Sequence, residues 1–259
     1  MTASTSGGRK PSRITFTKAV LAVAGIALFF AFISLGTWQV QRRAWKLDLI
    51  ERVNERVHSQ PVAVPTQAQW PQVQPSTHEY LAVQAQGQWI EGRSVLTQAV
   101  TELGAGFWLL TPLQQADGSQ LLVNRGFVPT EQRKAFVERI AAAPQEPAGE
   151  EVSVVGLLRF SEPKGGFMRD NAPEEDRWHS RDVQAIAQAK SLQPVAPFFV
   201  DQGLPGQSAV VQTWPRPGLT VIQFTNTHAV YALTWYGLAL MVVGAAWLVM
   251  RYERRKQSL

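Results

Sequence analysis

The chain of 259 residues contains no cysteine. It therefore forms no disulfide, offers no thiolate to zinc or copper and performs no thiol redox chemistry. Its four methionines, at positions 1, 168, 241 and 250, form no cluster that would attract a soft metal ion. These absences argue against a copper chaperone. They also require any exported domain to be stabilised by its own apolar core, which is feasible at this size.

Recognisable catalytic motifs are also missing from the sequence. The four histidines are too scattered for a metal-binding spacing such as H-E-x-x-H, and there is no Walker loop, dinucleotide fingerprint or G-x-S-x-G elbow. His179, Ser180 and Asp182 are close along the chain, but closeness in sequence is not the geometry of a catalytic triad. We interpret Ser180 as a helix cap. These patterns do not indicate an enzyme.

Two long stretches lack any charged side chain, Ala19–Val40 and Ala229–Met250. A hydrocarbon core about 30 Å thick needs about 20 helical residues, so both stretches predict membrane-spanning helices, which we place at 19–40 and 228–250. A cleaved signal peptide is the alternative for the first stretch, because basic residues precede it and Ser34 and Gly36 are small. We favour an uncleaved anchor, because the stretch exceeds a signal core and helix-compatible sequence continues beyond Gly36.

Basic residues concentrate in the two tails of a chain whose formal net charge is +5. Residues 1–18 hold four basic side chains and no acidic one, and residues 251–259 hold four basic and one acidic. Both tails are therefore predicted to be cytoplasmic, and anionic lipid is their expected partner. Arg42, Arg43 and Lys46 oppose this locally, but long loops cross largely regardless of charge. The remaining chain is slightly acidic, which argues against nucleic-acid binding.

The region between the spans is predicted to be rich in β-strands. A helical stalk over 41–59 continues the first span, since apolar and aromatic side chains recur there at helical spacing, and a linker rich in Pro and Gln follows over 60–76. Within a domain over 77–227, β-prone segments are separated by turns, short helices and a long loop over 161–178. We expect an α+β domain with a mainly antiparallel sheet or a small partly closed barrel. Strands are predicted over 79–89, 94–100, 107–113, 120–124, 151–160, 197–201 and 219–224.

His228 has an unusual position, because it lies at the predicted extracytoplasmic mouth of the second span. Tyr231 and Trp235 follow at helical spacing and share its stripe, and the first span offers Trp38, Gln39, Arg42 and Arg43 at a similar depth. Imidazole can ligate haem iron, aromatic rings can cover the macrocycle and a guanidinium can pair with a propionate. We define the candidate haem site as His228, Trp38, Arg42, Tyr231 and Trp235, in which His228 would bind the iron.

Each of these residue types also has an ordinary explanation at a membrane surface. Trp and Tyr are enriched at interfaces because their rings are amphipathic, and a lone histidine there is usually solvated or hydrogen-bonded. The basic residues after the first span can contact lipid headgroups or pair with Asp48 and Glu51. Residue chemistry alone leaves both interpretations open.

Several short motifs occur in one order between residues 35 and 244. They are Leu35-Gly36-Thr37-Trp38-Gln39 with Arg42 and Trp45-Lys46, Phe107-Trp108 to Pro112-Leu113, Val123-Asn124-Arg125-Gly126-Phe127-Val128-Pro129, Glu162-Pro163-Lys164-Gly165, Asn171 with Pro173, Trp178 with Arg181-Asp182, and Asn226-Thr227-His228 leading to Tyr231 and onward to Ala239. Together they resemble the Surfeit locus protein 1 family. Phe127 departs from the pattern, since many members of that family have Trp there, and this puts only local packing in question.

The resemblance implies an assembly factor for haem-copper cytochrome c oxidase, a chaperone and not an enzyme, acting in maturation of the catalytic subunit. Bacterial members of the family look like haem a binders, and the family's haem-associated histidine falls on His228. Expected partners are the oxidase catalytic subunit, the haem a synthesis machinery and membrane lipid. The basic tails and the lack of a longer leader suggest a bacterial inner-membrane protein with cytoplasmic termini and a periplasmic domain.

Two other functions stay open at this point. A membrane-tethered scaffold could stabilise an oxidase subunit by protein contacts without holding haem, and a membrane-anchored enzyme could use an unrecognised site. If haem a is held, the second axial ligand of the iron is not identified by the sequence. Asn124 to Pro129 is interpreted as a strand that ends in a glycine turn.

Overall fold

The computed structural model of the chain describes residues 13–163, 169–205 and 213–257, apart from 221, 223 and 225. They belong to two compact units, one made of the chain up to Ile50 and from Phe224 onward, the other of Glu51–Gln223. In chain order, the described α-helices and β-strands are α1 (Arg13–His58), β1 (Val62–Ala63), α2 (Pro75–His78), β2 (Ala82–Trp89), β3 (Val95–Thr101), β4 (Gly104–Gln114), β5 (Gln120–Pro129), α3 (Arg133–Ala142), β6 (Ala148–Phe160), α4 (Val183–Ala189), β7 (Val195–Gln202) and α5 (His228–Gln257).

Helices α1 and α5 are both long and apolar enough to cross a membrane. The most apolar windows have mean hydropathies of 2.5 in α1 and 1.8 in α5, and only 6% of each window is buried. The core helix of a soluble protein would bury one of its faces, so this exposure fits helices that face lipid. The two predicted candidate transmembrane helices, one before and one after the sheet-forming segments in the sequence, are therefore confirmed.

The second unit is built on a seven-stranded sheet with the order β1-β2-β6-β7-β5-β4-β3. A further pairing of β2 with β4, through Gln88 with Gln114 and Trp89 with Leu113, closes a ring of five strands. The parallel pairs are β1 with β2 and β5 with β7, and the other pairings are antiparallel. The predicted fold class, a mainly antiparallel and partly closed sheet with short helices, is confirmed.

The middle of the sheet is buried on both faces because apolar clusters cover each side. Leu121 and Val123 of β5 belong to one cluster, whereas Leu122 between them belongs to a second. Successive side chains of a strand point to opposite faces, which explains this alternation. The second cluster is completed by Val183 and Ile186 of α4. Each such side chain contributes roughly 1.5–3 kcal/mol when it is fully buried.

The segment interpreted as a strand ending in a glycine turn is in fact one continuous strand with a bulge. The register of β5 against β4 shifts between Asn124 and Phe127, so Arg125 and Gly126 oppose a single residue. Gly126 has a φ of 131°, and a Cβ at this position would collide with the carbonyl group of Arg216. Only glycine suits both the backbone angle and the close approach.

Phe127, the residue that departs from the family pattern, is fully buried between two tryptophans. Its ring meets Trp108 edge to face with centroids 5.9 Å apart, and it meets Trp214 in the same way at 6.1 Å. Edge-to-face pairs of this kind contribute about 0.5–1.5 kcal/mol beyond their burial. The phenyl ring therefore maintains the local packing.

Local elements differ from the predictions in three places. A 3₁₀ helix, Gln67–Gln72, and α2 interrupt the segment predicted as an extended linker; α2 accommodates a proline because Pro75 occupies its first turn. The strand predicted over 219–224 does not form at its described residues, and 221 and 223 lie outside them. Ser180 is not a helix cap, because the Asp182 carboxylate accepts hydrogen bonds from the first turn of α4. Within the predicted loop over 161–178, residues 164–168 also lie outside the described chain.

Candidate functional site

Helices α1 and α5 contact each other along one antiparallel seam. At one end, the Lys18 ammonium lies 2.8 Å from a carboxylate oxygen of Glu253. Further along, the rings of Phe32 and Trp235 stack with centroids 5.7 Å apart. Residues spaced three or four apart share one helical face, which explains how a single stripe on each helix forms the contact. We define the interhelical seam as Phe32, Gly36, Thr37 and Gln39 of α1 with His228, Trp235 and Tyr236 of α5.

Gly36 allows the closest approach within the interhelical seam. A Cβ on this residue would lie only 2.7 Å from Cε1 of Tyr236, so the aromatic ring rests directly on the glycine backbone. Beside it, Thr37 Oγ1 and Tyr236 Oη are 3.3 Å apart, and Thr37 Oγ1 donates to the carbonyl of Ile33 at 2.9 Å. With that hydrogen used, the tyrosine hydroxyl is the donor to Thr37. Small residues and interhelical hydrogen bonds are typical of contacts between membrane helices.

His228 lies at the far end of the interhelical seam, as the first residue of α5. Its Nδ1 is 2.7 Å from Oε1 of Gln39. The Gln39 side chain is largely buried, and His228 is half-buried. The hydrogen bond occupies one ring nitrogen and leaves Nε2 for another partner. A histidine that ligates a metal almost always uses its second nitrogen in this way. His228, oriented by Gln39, is therefore chemically suited to act as a ligand of iron.

The other residues of the candidate haem site are placed differently around this pair. Trp235 lies on the seam against Phe32, whereas Trp38 and Tyr231 are each 54% exposed. The Arg42 guanidinium lies 4.1 Å from the ring centroid of Trp45. Among the described residues, no hydrogen bond or ring contact joins His228 to these four side chains. The structure thus brings His228 together with Gln39, the immediate neighbour of Trp38.

A second group of polar residues lies in the unit of Glu51–Gln223, which we call the sheet unit. It surrounds the carboxylate of Asp201, which is 2% exposed. Arg181 and Arg159 each donate to one of its oxygens at 3.0 Å. Asn124 Nδ2 donates at 2.7 Å and Thr220 Oγ1 at 3.0 Å. We call this the Asp201 cluster. The cluster links strands β5, β6 and β7 to Arg181 and Thr220, which lie outside the strands. The Asp201 carboxylate accepts hydrogen bonds on both of its oxygens.

Electrostatics within the Asp201 cluster favour the ionised forms. Burial would raise the pKa of Asp201, but the charges of Arg181 and Arg159 and two hydrogen bonds lower it below its usual range. Burial would likewise lower the pKa of Arg159, yet the nearby carboxylates raise it above its ordinary value. Two guanidinium groups therefore neutralise a carboxylate that could not stay ionised alone at this depth. The cluster is suited to holding strands together and not to proton transfer near neutral pH.

The comparison with known proteins decides the family. A model of the SURF1 family matches residues 26–240. The chain belongs to this family. Surfeit locus protein 1 of Xenopus tropicalis is 31% identical over 252 residues, which cover 91% of this chain and 76% of that protein. Surfeit locus protein 1 of Homo sapiens is 31% identical over 244 residues, or 87% and 74% of the two chains. A SURF1-like protein of Monosiga brevicollis is 29% identical over 253 residues, or 90% and 91%.

The SURF1 family match confirms the resemblance inferred from the short motifs. Its span contains both Gln39 and His228, together with the members of the Asp201 cluster. All residues of the interhelical seam thus lie inside the region that the family model matches. The Lys18–Glu253 ion pair lies outside it.

The neighbouring residues His179, Ser180 and Asp182 do not assemble a triad in this SURF1 family member. His179 Nδ1 lies 2.9 Å from Oε1 of Gln98, and Ser180 Oγ accepts a hydrogen bond from Asn171. Asp182 is used to cap α4. No group of three or more potential metal ligands occurs among the described residues.

Two features of the site are not predicted by the sequence patterns. The sequence places Gln39 beside Trp38 near the depth of His228, but the candidate haem site includes Trp38 and not Gln39, although an amide near the end of an apolar helix is itself a signal of a polar partner. The Asp201 cluster offers no local signal, since its members come from separate segments of the chain. Only the fold brings them together.

Proposed function

We propose that this protein is a membrane-anchored assembly factor for haem-copper cytochrome c oxidase that holds haem a through Nε2 of His228. The observation that carries the proposal is the hydrogen bond between His228 Nδ1 and Gln39 Oε1. It orients the imidazole and keeps its other nitrogen available, as a ligand of haem iron requires. Membership of the SURF1 family supports the same assignment.

The remaining residues of the candidate site would act on the periphery of the bound haem. Trp38 and Tyr231 present large ring surfaces beside the seam, and Arg42 is the cation closest in sequence to that region. Aromatic rings would cover the macrocycle, and a guanidinium would pair with a propionate. When bound, haem a is cargo, so the protein binds and orients it without chemical change.

Delivery sets a limit on the strength of this binding. Transfer to the oxidase catalytic subunit is favourable only when that subunit binds haem a more tightly than this protein does. A single well-oriented histidine with partly exposed neighbours meets this condition better than an enclosed pocket. The sheet unit would then dock the partner proteins, namely the catalytic subunit and the haem a synthesis machinery.

The membrane orientation belongs to the same proposal. The basic residues at both tails would keep the two termini in the cytoplasm of a bacterium and fix the protein in the inner membrane. The sheet unit would then lie in the periplasm. His228, at the start of α5, would be at the periplasmic surface of the membrane.

A haem-free scaffold is the second candidate function, and one observation favours it. The hydrogen bond between Gln39 and His228 also has the form of an ordinary link between membrane helices, like the one between Thr37 and Tyr236. On this alternative, the protein would stabilise an oxidase subunit through protein contacts alone.

The absorption spectrum of the detergent-purified protein separates the two candidates. We would co-express the haem a synthesis enzymes with the wild type, with His228→Ala and with the control His58→Ala. His58 is exposed, and its Nδ1 contacts only the Asn54 carbonyl of its own helix among the described residues. We expect a Soret band in the wild type and the control and its loss in a folded His228→Ala protein. A colourless wild type that still restores oxidase assembly would reject haem binding and favour the scaffold.

A further inference from the structure

Gln39 is a buried amide in a helix whose side chains mostly face outward. It is 9% exposed, whereas Trp38 and Val40 on either side are 54% and 48% exposed. Burying an amide is unfavourable in proteins unless it is hydrogen-bonded. The bond to His228 offsets this cost, so the two side chains depend on each other.

The hydrogen bond also determines which ring nitrogen carries the proton. The Gln39 Oε1 atom is only an acceptor, so a neutral His228 must carry its hydrogen on Nδ1 to form the bond. Nε2 then has its lone pair free. In the other tautomer, Nδ1 would be an acceptor, so the Gln39 amide would have to turn its NH2 group toward the ring, and Nε2 of His228 would carry a hydrogen and could not bind iron. With Oε1 of Gln39 facing the ring, the contact favours the form of His228 that can act as a ligand.

We propose that Gln39 is a positioning residue that holds His228 as the Nδ1–H tautomer and so prepares Nε2 to bind the iron of haem a. This inference rests on the function proposed above. Hydrogen bonds of this kind behind a metal-bound histidine typically raise metal affinity about 10- to 100-fold. Gln39 would therefore set the strength of haem binding without touching haem.

A role for Gln39 as a simple link between helices is the competing explanation, and the chain offers a matched control for it. Tyr236 makes the other hydrogen bond across the interhelical seam, to Thr37. Tyr236→Phe removes that hydrogen bond and keeps the ring against Gly36. If hydrogen bonds in the seam matter only for packing, this variant and Gln39→Leu should weaken haem binding to the same extent.

The first test is a titration of haem a into purified wild type, Gln39→Leu, Gln39→Glu and Tyr236→Phe proteins. We expect Gln39→Leu to raise the Kd about 10- to 100-fold. Gln39→Glu keeps an acceptor for Nδ1 and should retain binding, as should Tyr236→Phe. A Kd within about twofold of the wild type for Gln39→Leu, or an equal loss in Tyr236→Phe, would overturn the inference.

The second test needs no haem. Nitrogen NMR of protein labelled at its four histidines reports the tautomer of each ring, and His228→Ala assigns the signal. We expect Nδ1–H in the wild type and a shift toward Nε2–H in Gln39→Leu. An unchanged tautomer in Gln39→Leu would refute the positioning role even if His228 binds haem. If the wild type binds no haem but Gln39 controls the tautomer, the proposed function fails while the hydrogen-bond assignment stands.

Discussion

Gly36 and Tyr236 are in such close contact that no side chain fits between them, since a Cβ on Gly36 would lie 2.7 Å from the tyrosine ring. The interhelical seam can therefore pack in this way only with glycine at position 36. Gly25 lies on the same helix, and a Cβ added there would meet no neighbouring atom of the described chain within 4 Å. The two glycines therefore separate the effect of helix packing from the effect of glycine on the helix itself.

Gly36→Ala should weaken the association of α1 and α5, whereas Gly25→Ala should leave it unchanged. Forcing an extra methyl group into a packed interface typically costs about 1–3 kcal/mol. The measurement is the denaturant midpoint of unfolding in detergent, followed by tryptophan fluorescence, because Trp235 lies on the seam. Equal midpoints for the two variants would show that the contact does not stabilise the helix pair.

Asp201→Asn should strongly destabilise the sheet unit. Removing this charge leaves the buried guanidinium groups of Arg159 and Arg181 with only the more exposed carboxylates of Glu79 and Glu162 as ion-pair partners. Breaking a buried ion pair from one side costs about 3–5 kcal/mol. Thermal unfolding followed by circular dichroism should show a clearly lower Tm. The control is Glu175→Gln, which breaks an exposed pair with Arg177 and should leave Tm nearly unchanged.

The pH dependence of stability should follow the same carboxylate. The pKa of Asp201 is lower in the folded protein than in the unfolded chain, where it is about 3.9. The unfolded chain therefore binds more protons, and stability increases with pH through this range. The contribution of Asp201 should be fully present above about pH 4 and be lost as the pH falls through its folded pKa.

Free energies of unfolding measured from neutral pH into the acid range test this expectation. The difference between wild type and Asp201→Asn should shrink as the pH falls, because the wild-type carboxylate becomes protonated. A difference that stays constant in acid would mean that the charge of Asp201 does not stabilise the fold.

Short-range patterns in the sequence were sufficient for much of the fold. The absence of charge over 19–40 and 229–250 predicted the two apolar helices, because bilayer thickness alone sets the length required. Strands β2 to β7 followed from β-prone segments and turns, since backbone preferences are local. The bulge at Gly126 was missed, because the same glycine suits a turn or a strand that another segment approaches closely.

The candidate site was only partly accessible from the sequence. Helical spacing placed Tyr231 and Trp235 with His228, but it could not say which face of α1 meets α5. One residue along a helix rotates a side chain by about 100°, which is the difference between Gln39 in the seam and Trp38 largely exposed. Neighbouring positions therefore predict depth in the membrane and not the partner across it.

The sequence by itself determined the two long apolar helices, the lack of disulfides, the strand-rich middle region and membership of the SURF1 family. These properties depend on amino-acid composition, on the spacing of residues and on the order of short motifs along the chain. Only the tertiary structure decided the closure of β2 on β4, the Asp201 cluster and the pairing of Gln39 with His228. Each joins residues far apart in sequence, and their contact depends on how whole elements pack.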